Sequence, residues 1–134
     1  MKKDIPFEPV TGVLIAIVPQ NDANLKQPWD VYIINKNLIE LNTVMVTSKG
    51  YGSINGENKK TSTLRHVIEQ LNQESYAKIE PIDPSVFALT NEYWVSYYIL
   101  DQIFDKKFIF VPESIQETNL TYIEALNAKG ILHP

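Results

Sequence analysis

The chain of 134 residues contains no cysteine, a single arginine (Arg65) and only two histidines (His66 and His133). Without thiols there is no disulfide staple, no thiolate nucleophile and no cysteine-based metal site, and a reducing compartment suits the chain. Two histidines 67 positions apart, amid scattered acids, give no metal-ligand spacing. Arginine is the preferred planar fork for phosphate and carboxylate, so one arginine equips the chain poorly to hold a nucleotide or read a base edge. Arg65 is expected to pair with a nearby carboxylate. The 12 basic residues are outnumbered by 16 acidic ones, for a net charge of −4, which argues against broad phosphate-backbone binding. The apolar run Val13–Val18 is too short to span a bilayer. In MKKDIPFEPV the lysines are followed by Asp4, Pro6, Glu8 and Pro9 instead of the apolar core of a signal peptide. The expected setting is the cytoplasm, with no membrane and no nucleic acid as partner.

Catalytic motifs are missing too. GYGSING (residues 50–56) spaces its glycines as GxGxxxG, and no Gly-Lys-Ser/Thr run exists for a phosphate loop. Gly52-Ser53 does not stand in a nucleophile elbow. The acid pairs Glu80 and Asp83, Asp101 and Asp105, and Glu113 and Glu117 cannot be told from carboxylates that cap or solvate turns. IEPIDPS lacks the glycine of a calcium loop. His66 reads as a half-buried polar residue and His133 as a frayed terminus. No catalytic residue, metal or cofactor is expected.

What is present is a series of short β-branched and aromatic segments between turn signals. A chain of this length, 44% hydrophobic and 21% charged, is most economically one domain. Strands are expected over Thr11–Pro19, Trp29–Asn35 and Leu41–Ser48, with Trp29, Val31 and Ile33 on one face and Asp30, Tyr32 and Ile34 on the other. Asn55-Gly56 reads as a two-residue hairpin turn, with Gly50 or Gly52 as a possible bulge. Thr63–Leu71 fits either a helical stripe (Leu64, Val67, Ile68, Leu71) or a strand, with a strand, or one helical turn entering it, favoured. Tyr76–Ile82 alternates, and Asp83-Pro84 is a turn signal. A last hairpin joins Glu92–Leu100 to Ile103–Val111 across Asp101-Gln102. Residues 113–134 read as a tail, in which Leu120, Ile123 and Leu126 hint at a short helix closed by Gly130. Without βα alternation this pattern predicts an all-β antiparallel sandwich over residues 1–112, immunoglobulin-like by first choice and a small barrel by second. The tail is expected to pack on that domain or on a partner.

The most informative stretch is Asn91–Pro112, NEYWVSYYILDQIFDKKFIFVP. As a strand it places Tyr93, Val95, Tyr97 and Ile99 on one face and Trp94, Ser96, Tyr98 and Leu100 on the other. One row is expected to enter the core. The second either forms a surface patch or lies beneath the tail. Tyr93, Trp94, Tyr97, Tyr98, Leu120, Ile123 and Leu126 are therefore the candidates for an interaction surface, towards a protein partner or a second copy in a homodimer. A ligand site assembled only in three dimensions would draw on Tyr32, Tyr51, Asp83 and Glu92.

TSKGYG (47–52), LRHVIE (64–69), IEPIDPSVF (79–87), NEYWVSYYI (91–99) and DKKFIFVPESI (105–115) together resemble a family of small bacterial proteins of nearly this length, often labelled phenylalanyl-tRNA synthetase subunit alpha. The label implies a module linked to tRNA aminoacylation. Class II synthetases hold ATP and the adenylate phosphate with arginines on a large catalytic domain, and no residue here takes over such a role. The functional expectation is a non-enzymatic β-sandwich for protein interaction or self-association. The alternatives are a synthetase-linked module and a sandwich that binds a small ligand.

Overall fold

A computed structural model of the chain describes residues 11–20 and 27–134. The N-terminal lysine pair and most of the loop after Pro19 lie outside the described residues. Among the described residues ten strands follow in order: β1 Val13–Pro19, β2 Trp29–Asn35, β3 Leu41–Ile54, β4 Glu57–Lys60, β5 Leu64–Leu71, β6 Ser75–Ile82, β7 Thr90–Ile99, β8 Gln102–Phe110, β9 Thr121–Ile123 and β10 Ala128–His133. They form two antiparallel sheets packed face to face. Sheet A runs β6-β2-β1-β10-β9. Sheet B runs β3-β7-β8, with the far edge of the long β3 paired first to β5 and then to β4. This is the expected sandwich, and Thr63–Leu71 resolves as a strand. The strand order departs from the immunoglobulin pattern, in which the first, second, fifth and fourth strands share one sheet.

The alternation seen in the sequence decides which side chains meet. Ile15 and Ile17 of β1 and Val31 and Ile33 of β2 face Val44 and Val46 of β3 and Tyr93, Val95 and Tyr97 of β7, all fully or nearly fully buried in one core. Burying such side chains is worth about 1.5–3 kcal/mol each. Two bulges adjust the pattern. In β3 the pairing to β7 shifts between Asn42 and Met45, and Thr43 takes a positive φ of 50°, so Leu41 and Val44 both point inward. The second bulge lies in β6. Val31 pairs with Glu80 while Tyr32 pairs with Lys78, leaving Ile79 as the extra residue. At the expected bulge sites the register is unbroken: Gly50 pairs with Asn91 of β7, and Gly52 with Lys59 of β4. Asn55 and Gly56, at φ 53° and 80°, make the expected hairpin turn. The β7–β8 turn falls one residue earlier than expected, on Leu100-Asp101, with Ile99 paired to Gln102.

Residues 113–134 do not lie outside the sandwich. β10 pairs with β1 over Ile15–His133 to Ile17–Ile131, and β9 pairs with β10, so sheet A extends to His133. No α-helix forms there. Three-residue 3₁₀ turns at Glu117–Asn119 and Glu124–Leu126 flank β9. Asn127 at φ 50°, not Gly130, closes the second. Gly130 sits within β10, where a Cβ would lie 2.8 Å from the Ile17 carbonyl. Leu120 packs on the main core, while Ile123 and Leu126 join Ala16 and Ile34 in a second apolar cluster on the outer side of sheet A. His133 is not frayed: its ring meets Phe108 and Phe110 edge-on at 5.2 and 5.5 Å and closes one side of the sandwich.

Asn35, fully buried at the end of β2, ties three segments together. Its Nδ2 donates to the carbonyls of Ile39, Leu71 and Asn72, and its Oδ1 accepts from the Asn37 backbone N–H at 3.0 Å. Asn35→Ala strips these carbonyls of a donor and is expected to cost about 2–3 kcal/mol in urea unfolding. Asn58→Ala on the exposed β4 should stay within about 0.5 kcal/mol.

Candidate functional site

Polar side chains converge where the edge strands β5 and β6, which belong to different sheets, pass each other. Strict alternation along Tyr76–Ile82 would put Glu80 on the solvent face beside Lys78. The bulge at Ile79 reverses the parity, so Glu80 lies opposite the core residue Val31 and is 9% exposed. Its carboxylate collects three donors, all from sheet B. Ser48 Oγ of β3 donates to Oε1 at 3.0 Å, His66 Nε2 of β5 lies 2.6 Å from the same oxygen, and the Tyr93 hydroxyl of β7 donates to Oε2 at 3.0 Å. Among these partners only His66, about a third exposed, can carry positive charge. Ser48 gives its proton to Glu80 and not to His66, so the order of a serine–histidine–carboxylate relay is absent.

Next to this cluster the chain turns through Asp83, whose carboxylate accepts from the Ser85 backbone N–H at 2.8 Å and caps the short turn Pro84–Val86. That bond holds the Asp83 carboxyl below its ordinary range. Asn91 is buried and donates to the Val86 and Leu89 carbonyls. Gly50 gives the room: a Cβ there would sit 3.1 Å from both Asn91 Oδ1 and Thr61 Cγ2.

The outer face of sheet B is the second feature. Cross-strand rows place Val67, Met45, Ser96 and Asp105 side by side, then Arg65, Thr47, Trp94 and Lys107, then Lys49, Glu92 and Ile109. Trp94 is 45% exposed, with Met45, Val67, Tyr98, Ile103 and Ile109 also open to solvent. A shallow depression of about 390 Å³ lies among Met45, Val67, Trp94 and Ile103, with Ser96 and Thr47 also lining it. Lys107 Nζ stands 4.9 Å over the Trp94 ring. Glu92 is covered on this face by the Tyr51 hydroxyl, which donates to it at 3.1 Å, and by Lys49 Nζ at 3.9 Å. Desolvation, and then the Glu92 carboxylate, raise the Tyr51 hydroxyl above its ordinary pKa. A larger hollow of about 620 Å³ lies on sheet A between Tyr76 and Tyr122.

The candidate surface residues therefore divide. Trp94 and Tyr98 reach solvent; Tyr93 and Tyr97 are 2% and 1% exposed and belong to the core. Ile123 is buried, and Leu120 and Leu126 are half-buried in two different clusters. Of the four residues proposed for an assembled site, Asp83 lines the depression beside Glu80. Tyr51 and Glu92 bond to each other on the outer face. Tyr32 stacks edge-on with Tyr76 at 5.8 Å on sheet A. Arg65 has no ion-pair partner among the described residues. The quartet of Ser48, His66, Glu80 and Tyr93 escapes sequence reasoning because its members come from four strands. The only local signal is Pro81, which cannot donate to a ladder and marks an edge or a bulge.

Comparison with known proteins gives no matching family model, no matching curated protein and no matching solved structure.

Burial first, then the Glu80 charge and hydrogen bond, raise the Tyr93 hydroxyl far above its ordinary pKa. Burial alone pushes Tyr97 up to about 12. Both are raised in the folded state, so their contribution to stability is complete below pH 10 and drains away as pH rises above it. Stability is expected to fall steadily from pH 10 to about 12 in denaturant titrations. Tyr97→Phe should flatten part of that fall and shift stability at neutral pH by less than about 1 kcal/mol. Tyr93→Phe removes a donor from a buried carboxylate and should cost about 1–3 kcal/mol even at neutral pH.

Proposed function

We propose that this chain is a non-enzymatic interaction module that associates through the outer face of sheet B, and that its partner there is a second copy of itself. The observation that carries this reading is the relief of that face. Trp94, a large exposed knob, stands beside a hollow lined by Ser96 and Thr47 and walled by Met45, Val67 and Ile103. A knob next to a hole on one surface is self-complementary about a two-fold axis, as an isologous interface requires. The composition also fits. Aromatic residues, methionine and arginine are enriched at interfaces, and large contiguous apolar patches are rare on surfaces that meet only water.

Charge supports the same partner. The face interleaves Lys49, Arg65 and Lys107 with Glu92 and Asp105, so two copies meet without a block of like charge. The same interleaving offers tRNA no basic track, which weighs against the synthetase-linked alternative. Edge-to-edge pairing is less favoured, because Lys106 of the edge strand β8 sits opposite the core residue Val95. An inward-turned lysine is a common guard on strand edges.

Sedimentation velocity across the micromolar range tests the reading. The wild-type chain is expected to pass from monomer to dimer. Trp94→Glu, which removes the knob, and Ser96→Arg, which fills the hole, should each weaken the dimer by about 2 kcal/mol or more, roughly thirtyfold in Kd, while thermal unfolding of the monomer stays unchanged. A wild-type chain that remains monomeric throughout, or variants that dimerise as well as it does, would overturn the proposal.

A further inference from the structure

The mouth of the sandwich beside β6 holds a depression of about 290 Å³, on the opposite side of sheet B from the proposed interface. Its polar walls are Ser48, Thr61, Ser62, Glu80, Asp83, Asn91 and Tyr93, with the exposed Ser62 hydroxyl at the rim able to donate or accept. A count of donors and acceptors shows what it can take. Ser48 and Tyr93 both spend their hydroxyl protons on Glu80. Thr61 spends its proton on the Ser62 carbonyl. Each of these groups therefore offers only lone pairs to a guest.

Glu80 accepts two bonds at Oε1 and one at Oε2. A carboxylate has about four acceptor sites, so one site remains on Oε2, on the side of Tyr93. Asp83 uses Oδ1 for its turn cap, and Oδ2 has no partner among the described residues. Both carboxylates line the same hollow. Lys49 also borders it, but its ammonium group lies near Glu92 on the outer face, at 3.9 Å. The hollow is thus rich in acceptors and carries two carboxylates; the one group already on them that can carry positive charge is His66, at Glu80 Oε1, which leaves Oε2 and the Asp83 carboxylate to a guest. Leu64, Ile82 and Val86 supply an apolar wall. No group of three metal-ligating side chains exists among the described residues, so the donor set falls short of a metal cage.

We infer that this depression binds a primary ammonium group on a short aliphatic stem, with Glu80 at the floor, Asp83 at the rim and the stem along Leu64, Ile82 and Val86. An ammonium brings three donors and no acceptor, the complement of these walls. The volume lies at the small end of ligand pockets, which suits a chain of a few carbons. Such a group could come from a free amine or from a lysine side chain.

Amide NMR on the whole chain at neutral pH and low salt tests this, with n-butylamine as probe, n-butanol as its uncharged counterpart and Nα-acetyl-lysine methylamide as the side-chain form. Butylamine is expected to shift the amides of Ser48, Gly50 and Asp83 saturably, and butanol is not. Asp83→Asn should weaken binding by roughly three- to tenfold and reduce its salt dependence, and Glu80→Gln should abolish it. Tighter binding of the lysine derivative than of butylamine assigns the site to a peptide side chain; the reverse assigns it to a free amine. Shifts that do not saturate for either amine, or that butanol reproduces, or that persist undiminished in Asp83→Asn, would overturn the inference. If Glu80→Gln does not fold, Asp83→Asn and the butanol comparison decide it. Dimerisation through the Trp94 face is read by different residues, so either proposal can fail alone.

Discussion

A single buried carboxylate holds the two sheets in relation to each other. β5 and β6 run at the edges of different sheets with no ladder between them, and an open side in a sandwich would admit water to the core. Glu80 spans that side. Burying a charge is costly unless it is well bonded, and here the three donors Ser48, His66 and Tyr93 offset the cost. Because all three come from sheet B while Glu80 comes from sheet A, the bonds tie one layer to the other across that open side. On the opposite side, His133 between Phe108 and Phe110 closes the sandwich by apolar contact.

This arrangement leaves the two outer faces unequal. On sheet A the 3₁₀ turn at Glu124–Leu126 and β9 bring Leu126 and Ile123 over Ala16 and Ile34, which covers part of the apolar surface there and leaves Tyr76, Tyr122 and Leu132 around the larger hollow. On sheet B, Trp94, Met45, Val67 and Ile103 stand open. The same β7 strand supplies both the inner row that builds the core and the outer row that meets solvent. Its tyrosines differ accordingly: Tyr93 is bound to Glu80 and Tyr98 is about a third exposed. The concave, acceptor-rich mouth beside Glu80 and the open aromatic face around Trp94 are therefore products of one strand pattern read on its two sides.

Much of the architecture is legible in the sequence where period-two alternation is unbroken. The facing sets of β2, the Val44–Val46 pair of β3 and the inner row of β7 follow directly from side-chain parity. The Asn55-Gly56 turn is legible because both positions tolerate positive φ. Legibility fails where parity breaks or where partners are distant. Ile79 is an ordinary strand residue, and Pro81 two positions on signals only an edge or a bulge, without marking Ile79 as the extra residue that turns Glu80 inward. The three-residue spacing of Leu120, Ile123 and Leu126 imitates a helix, yet the strand pairing of β9 and β10 with the centre of sheet A outweighs it. Asn35 looks like a turn former, and its role depends on carbonyls at Leu71 and Asn72 that only the fold brings near.

The central claim is that Glu80 couples sheet A to sheet B. A double-mutant cycle in urea unfolding tests it most directly, with Glu80→Gln and His66→Gln as the single changes and the pair together. If the clasp carries the joint, the double mutant is expected to be less destabilised than the sum of the singles by at least about 1 kcal/mol. Additivity to within about 0.3 kcal/mol would show that the two side chains act independently and would contradict the account.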